Sequence, residues 1–244
     1  MSVTTPPPRS RSRKRPRVPV VAFRTWLDRI DWRQGQHVTM LGDTGSGKTL
    51  VASRLLARRD YVVAIVTKTR DSSIDRLKRQ GYTVVHEWPP PEDADRVILH
   101  ARLDQMDDRD HQRETVRDAL HAIFAEGGWT IYADEGPYLT DELRLSRELS
   151  LIWQQGRSNG LSLVFAAQRP FAVPQLALSQ PSHLIVWRTN DERDLKRLGE
   201  IAGGLDKRRV SAAVSSLVRH AFLHVDTAGG ALTVSKMPLN NGSS

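Results

Sequence analysis

Three short groups of residues carry the chemistry open to this sequence. The first is Gly42-Asp43-Thr44-Gly45-Ser46-Gly47-Lys48-Thr49, whose spacing is that of a phosphate-binding loop. Glycines at those positions let the backbone wrap a triphosphate with its N–H groups turned inward. Lys48 then supplies a cation for the β- and γ-phosphates, and Thr49 a hydroxyl for Mg²⁺. An apolar run over 37–41 precedes the group and a helical pattern over 47–59 follows it. The helix start therefore adds its own positive end to the cradle. A chance glycine-rich turn is the competing explanation, and the strand-loop-helix context argues against it.

The second group is Asp134-Glu135, delivered by the short apolar run Thr130-Ile-Tyr-Ala133. Open α/β sheets bind ligands beyond the carboxyl ends of their strands, so these carboxylates belong beside the phosphates. Asp134 is suited to hold Mg²⁺, and Glu135 to act as the general base towards water. An acidic helix cap would look the same in isolation, but a phosphate loop requires an acid on the Mg²⁺ side. A phosphotransferase that passes its phosphoryl group to a bound hydroxyl has no need of the second carboxylate, so the pair favours hydrolysis. Three strand candidates separate this one from the phosphate loop, an order that resembles the additional-strand, catalytic-glutamate branch of P-loop ATPases. The third group is Gln168-Arg169-Pro170, after the run Leu161 to Ala167. Gln168 has two readings there: a polar group set against the γ-phosphate or the attacking water, or a strand-end amide satisfied by backbone.

These groups need a sheet to hold them. Apolar strand candidates fall at 37–41, 61–67, 82–86, 97–103, 130–133, 161–167, 184–188 and 221–225. Several are near-continuous, as strands covered on both faces are, which predicts a mostly parallel sheet flanked by helices. Helices are expected over 47–59, 71–80, 111–125, 141–155 and 191–202, with Asp71 or Ser72 capping the second, Asp191 capping the last and Gly203-Gly204 stopping it. Phe23, Trp26, Leu27 and Ile30 share a helical face and read as core. Thr227-Ala-Gly-Gly230 sits between two β-like runs, as in a terminal hairpin. The stretch 104–118, dense in Asp and Arg, reads as a solvated loop and helix face.

Composition narrows the class further. There are no cysteines among the 244 residues, which excludes disulfides, thiol nucleophiles and thiolate metal sites. No run approaches the ~20 apolar residues of a membrane span, and the first residues lack the apolar core of a secretory signal. A soluble, intracellular protein is expected. Arg9, Arg11, Arg13, Lys14, Arg15 and Arg17 carry six of the +8 net charge, leaving about +2 for residues 21–244. Residues 1–19 are expected to be a disordered basic tail, residues 20–238 the P-loop ATPase domain and residues 239–244 a frayed end. Six cations in so short a tail form a patch able to grip nucleic-acid phosphates or an acidic partner; a solvated arm is the alternative.

Gly156-Arg157-Ser-Asn-Gly160, an apolar strand and then Ala167-Gln168-Arg169-Pro170, coming after the other two groups in this order, resembles the sensor region of the HerA/FtsK superfamily over roughly residues 37 to 190. The resemblance implies a RecA-like core that hydrolyses ATP with Mg²⁺ while moving along double-stranded DNA. It implies catalytic roles for Lys48, Glu135 and Gln168, and an arginine finger from Arg157, with Arg169 as the second candidate. Arg157 is expected near the ligand edge of the sheet, outside its own phosphate shell; an arginine favoured by a helix C-terminus is the plainer reading. The family assembles as a homo-oligomeric ring, usually hexameric. The size of a bare motor core resembles the viral genome-packaging ATPases most, which implies a capsid or portal-vertex partner and a place in the host cytoplasm or on the virion. Alternatives are a DNA-transfer ATPase of the conjugative coupling type, a P-loop nucleotide kinase, and a nucleotide-gated scaffold.

Overall fold

The computed structural model describes residues 18–68, 72–101, 108–201 and 205–238. The basic residues of the tail, Asp71, Gly203-Gly204 and the 239–244 end lie outside that set. The chain opens with strand β1 (Val20–Ala22) and helix α1 (Phe23–Arg29), then β2 (Val38–Leu41), α2 (Lys48–Leu56), β3 (Val62–Val66), α3 (Ser72–Lys78), β4 (Thr83–Val85) and β5 (Arg96–His100). The long α4 (Arg109–Glu126) leads to β6 (Thr130–Ala133), α5 (Ser146–Gln155), β7 (Ser162–Ala167), α6 (Leu176–Ser179) and β8 (His183–Trp187). Helices α7 (Glu192–Leu198) and α8 (Lys207–Ser215) precede the closing strands β9 (Ala221–Asp226) and β10 (Ala231–Lys236).

The ten strands form one sheet in the order β1-β10-β9-β8-β2-β7-β6-β3-β5-β4. From β8 to β4 every neighbour is parallel, while β9 runs antiparallel to both β8 and β10. Central strands β2, β3, β6, β7 and β8 are buried along their whole length, because helices cover both faces. On one face Val38, Met40, Ala64, Val164 and Ile185 pack against Trp26 of α1, Val51 and Leu55 of α2 and Leu77 of α3. On the other, Leu41, Ile65, Leu99, Leu163 and Leu223 meet Leu120 of α4, Ile152 of α5, Leu198 of α7 and Val214 of α8.

Strand order is the feature that positions the site. β7 lies between β2, which leads into the phosphate loop, and β6, which ends at Asp134. This is the additional-strand arrangement.

Three sequence expectations need correction. The helix expected over 141–155 divides: residues 138–142 form a π-type turn, Arg144 takes a left-handed φ of 55°, and α5 starts only at Ser146. A β-carbon at φ > 0 cannot continue a right-handed helix. The helix expected to run to 202 stops at Leu198, although Asp191 caps it as anticipated, accepting from the N–H groups of Arg193 and Asp194. Finally, 104–118 is not solvated throughout: Gln112, Thr115 and Val116 of α4 are buried.

Candidate nucleotide site

Where β2 ends, the chain turns through Gly42 to Gly47 and enters α2 at Lys48. Gly47 has a φ of 109°, which disfavours a β-carbon, and a Cβ there would lie 1.8 Å from Met237 Cε. Gly42 faces Trp187 of β8 so closely that a Cβ would stand 2.7 Å from the tryptophan Cβ. Lys48 Nζ folds back onto its own loop, donating to the carbonyl oxygens of Gly42 and, at 3.0 Å, of Asp43. Burial lowers its pKa from the ordinary lysine value, while the Asp134 and Asp43 carboxylates act in the opposite direction. The Ser46 hydroxyl is buried without a hydrogen-bond partner among the described residues, as expected of a group that has a ligand to bind.

A cleft of about 1000 Å³ opens at the C-terminal edge of the sheet. Its walls bring together Thr44, Gly45, Gly47, Lys48 and Thr49 of the loop with Asp134, Glu135 and Gln168. Three strand ends thus converge: β2 through the loop, β6 through the two acids and β7 through Gln168. The carbonyl of Ala167 at the end of β7 accepts from Gly42 N at 3.1 Å, which fixes the two ends against each other. No hydrogen bond to the Gln168 amide is found among the described residues.

The acids are held in different ways. Asp134 Oδ1 accepts a hydrogen bond from the Tyr132 hydroxyl, two residues earlier on the same strand face. Glu135 Oε1 lies 2.6 Å from Lys68 Nζ, two residues beyond the end of β3. A hydroxyl at Thr49 and a carboxylate at Asp134 are hard oxygen donors of the kind Mg²⁺ prefers. No cluster of three or more His, Cys, Asp or Glu able to hold a metal is present among the described residues.

The arginines part company. Arg169 lines the cleft, but its guanidinium is engaged: Nε lies 2.7 Å from Asp194 and Nη2 2.7 Å from Asp191. Arg157 is not near the ligand edge. It sits in the turn between α5 and β7, with its backbone against Gly35 just ahead of β2. β7 is six residues long and runs towards the cleft, so a residue preceding it stands at the opposite edge, roughly 20 Å away at ~3.3 Å per residue.

Sequence reasoning missed Lys68, Arg76, Tyr138, His220 and Met237, all of which line the cleft. Lys68 was the most accessible of these, being a cation placed just past an apolar strand. Its meeting with Glu135 depends on β3 pairing with β6, which nothing in the local sequence states.

Strand order, loop and acids together define the fold of a P-loop nucleoside triphosphatase with a RecA-like core. No family model and no curated protein matches the sequence. Solved structures do share the fold. B204, the DNA-packaging ATPase from Sulfolobus turreted icosahedral virus, superposes with a TM-score of 0.64 at 16% identity, covering 86% of this chain and all of the other. The genome packaging NTPase B204 from Sulfolobus turreted icosahedral virus 2, in complex with AMPPCP, gives 0.60 at 15% identity over 84% of this chain and 98% of that one. VirB4 of Thermoanaerobacter pseudethanolicus gives 0.63 at 12% identity, covering 84% and 90%. At these identities the likeness is one of fold. Among the described residues, no helix is long and apolar enough to cross a membrane.

Proposed function

We propose that this protein hydrolyses ATP and couples the reaction to movement along double-stranded DNA, as a viral genome-packaging ATPase. The observation that carries the reading is the convergence of Lys48, Thr49, Asp134, Glu135 and Gln168 on one cleft, across a sheet in which β7 separates the loop strand from the acidic strand. The likeness to B204, described as a DNA-packaging ATPase, supports the DNA-handling part.

In this account the backbone of residues 42–49 wraps the phosphates, and Lys48 leaves the Gly42 and Asp43 carbonyls for the β- and γ-phosphate oxygens. Thr49 and Asp134 would hold Mg²⁺, which would supply positive charge against the phosphate oxygens. Glu135 takes the proton from the attacking water, and Gln168, at the neighbouring strand end, orients that water or the γ-phosphate. The protein works as a homo-oligomeric ring, a hexamer by family resemblance, with a capsid or portal-vertex protein as its docking partner, in the host cytoplasm or on the virion. A DNA-transfer ATPase of a mobile element would use the same site.

The test is phosphate release from ATP with and without duplex DNA. Release that rises with duplex DNA and vanishes in Lys48→Ala supports the proposal. Transfer of the phosphoryl group to a nucleoside acceptor, with no release to water, would replace it with a kinase.

A further inference from the structure

Gln112, in the first turn of α4, is wholly buried at 0% exposure, in a helix whose other inward residues are mainly apolar. Its amide is fully used. Nε2 donates to the carbonyl of Thr67 at 3.0 Å and to that of Ala101, while Oε1 accepts from the Tyr138 hydroxyl at 2.8 Å. Thr67 and Ala101 each stand just past the C-terminal end of a strand, β3 and β5 respectively.

The partners explain what the amide is for. Thr67 is the residue before Lys68, whose ammonium lies 2.6 Å from Glu135. Tyr138 closes the turn that begins at Glu135, its N–H donating to the Glu135 carbonyl at 3.0 Å. One buried side chain therefore grips the backbone beside one member of the Lys68–Glu135 pair and the turn carrying the other. A second link runs the same way: Arg109, at the start of α4, pairs at 2.9 Å with Glu142, at the end of the π-type turn 138–142 that follows. A leucine at 112 would fill the space, but would leave two carbonyls and a hydroxyl without these partners.

We infer that Gln112 is a positioning residue for hydrolysis: through Thr67 and Tyr138 it sets the placement of Glu135 relative to Lys68, and α4 is the strut that carries it. The inference rests on Glu135 acting as the base. Displacement of a catalytic group by about 1 Å can cost on the order of 100-fold in rate, and the nucleotide-binding loop is not touched by any of these contacts. Lys68 and Tyr138 line the cleft themselves but lie outside residues 42–49, so the effect falls on kcat more than on nucleotide affinity.

The test compares full-length wild type with Tyr138→Phe, Gln112→Leu, the double variant and Glu135→Gln, measuring ATP affinity at equilibrium and kcat in the steady state. Tyr138→Phe removes one hydroxyl and leaves the bonds of Gln112 to β3 and β5 in place, so it reports on positioning even if Gln112→Leu folds poorly. The expected result is a fall in kcat of roughly 10–100-fold in Tyr138→Phe with ATP affinity within about twofold. Because both substitutions cut one link, the double variant should turn over no more slowly than Gln112→Leu. Normal kcat in Tyr138→Phe beside an inactive Glu135→Gln overturns the inference, as do losses that multiply in the double variant. Normal turnover in Glu135→Gln removes the base assignment itself, and this inference with it.

Discussion

Lys68 Nζ and Glu135 Oε1 stand 2.6 Å apart, and the pair joins the ends of two adjacent parallel strands, β3 and β6. Both side chains are partly exposed, 48% for the lysine and 27% for the glutamate. An ion pair so placed contributes little to folding, on the order of 0–1 kcal/mol. Its importance is geometric, since it orients the carboxylate that faces the phosphate cleft.

Lys68→Ala should therefore leave the melting temperature nearly unchanged while lowering ATP turnover, by up to about 100-fold if the carboxylate loses its place. Glu135→Gln should still bind Mg-ATP and hydrolyse it roughly 10²–10⁴-fold more slowly, the usual scale of general-base catalysis. Calorimetry beside phosphate-release kinetics checks both. A Lys68→Ala protein with wild-type turnover would reduce the pair to a surface contact.

Acid should weaken the fold through two buried histidines. His37 Nδ1 accepts a hydrogen bond from Leu163 N at 3.0 Å, and burial, aided by the nearby Arg157 charge, pushes its pKa down to about 4. His224, 3.1 Å from His183, is pushed down to about 3 by burial and by that neighbour. The unfolded chain takes up these protons near pH 6.5, well above the folded values. Stability is therefore complete above about pH 6.5 and is lost as the pH falls towards the folded pKa values, each group contributing at most about 1.4 kcal/mol per pH unit. Thermal melts from pH 7.5 to 5 should show a falling midpoint, with a shallower fall in His224→Phe. A midpoint independent of pH would contradict this.

Arg157 is exposed at the edge of the sheet remote from its own phosphate loop, so it can act as a finger only on a neighbouring subunit. Mixing inactive Arg157→Ala with inactive Glu135→Gln tests this. In a mixed ring, some interfaces pair an intact site with an intact neighbouring arginine, and turnover should partly return. A finger of this kind is worth on the order of 10³–10⁵ in phosphoryl transfer, so even sparse intact interfaces should be detectable. Mixtures that assemble, bind ATP and stay inactive would turn attention to Arg169, which lines the cleft.

Removal of residues 1–19 should weaken DNA binding and flatten its salt dependence, because each lost phosphate contact lowers the slope of log K against log salt by about 0.9. Basal ATP turnover should hardly move. Titrations at several salt concentrations measure the slope, and an unchanged slope would leave the tail as a solvated arm.

The phosphate loop and the Asp134-Glu135 pair could be read from the sequence because their chemistry is local: the residues that act together are neighbours in the chain. The strands were readable because β2, β3, β7 and β8 are covered on both faces and so appear as near-continuous apolar runs. What could not be read depends on which strands pair. Lys68, Gln112 and Tyr138 converge with Glu135 only because β3 lies against β6 and α4 packs across their ends. Gln112 in particular was hidden within a charged stretch whose composition describes the solvent face of α4 and not its buried face. Arg157 was misplaced for a simpler reason. A residue just before a parallel strand belongs to the edge opposite the ligand, and strand direction decides this before any contact is known.

The most direct test of the central claim is displacement of a third DNA strand from a duplex on which the protein has been loaded. With ATP, the wild-type protein should strip the third strand, and it should fail with a non-hydrolysable analogue or in Glu135→Gln. A protein that hydrolyses ATP in the presence of the duplex yet leaves the third strand bound would contradict coupling of hydrolysis to movement along DNA.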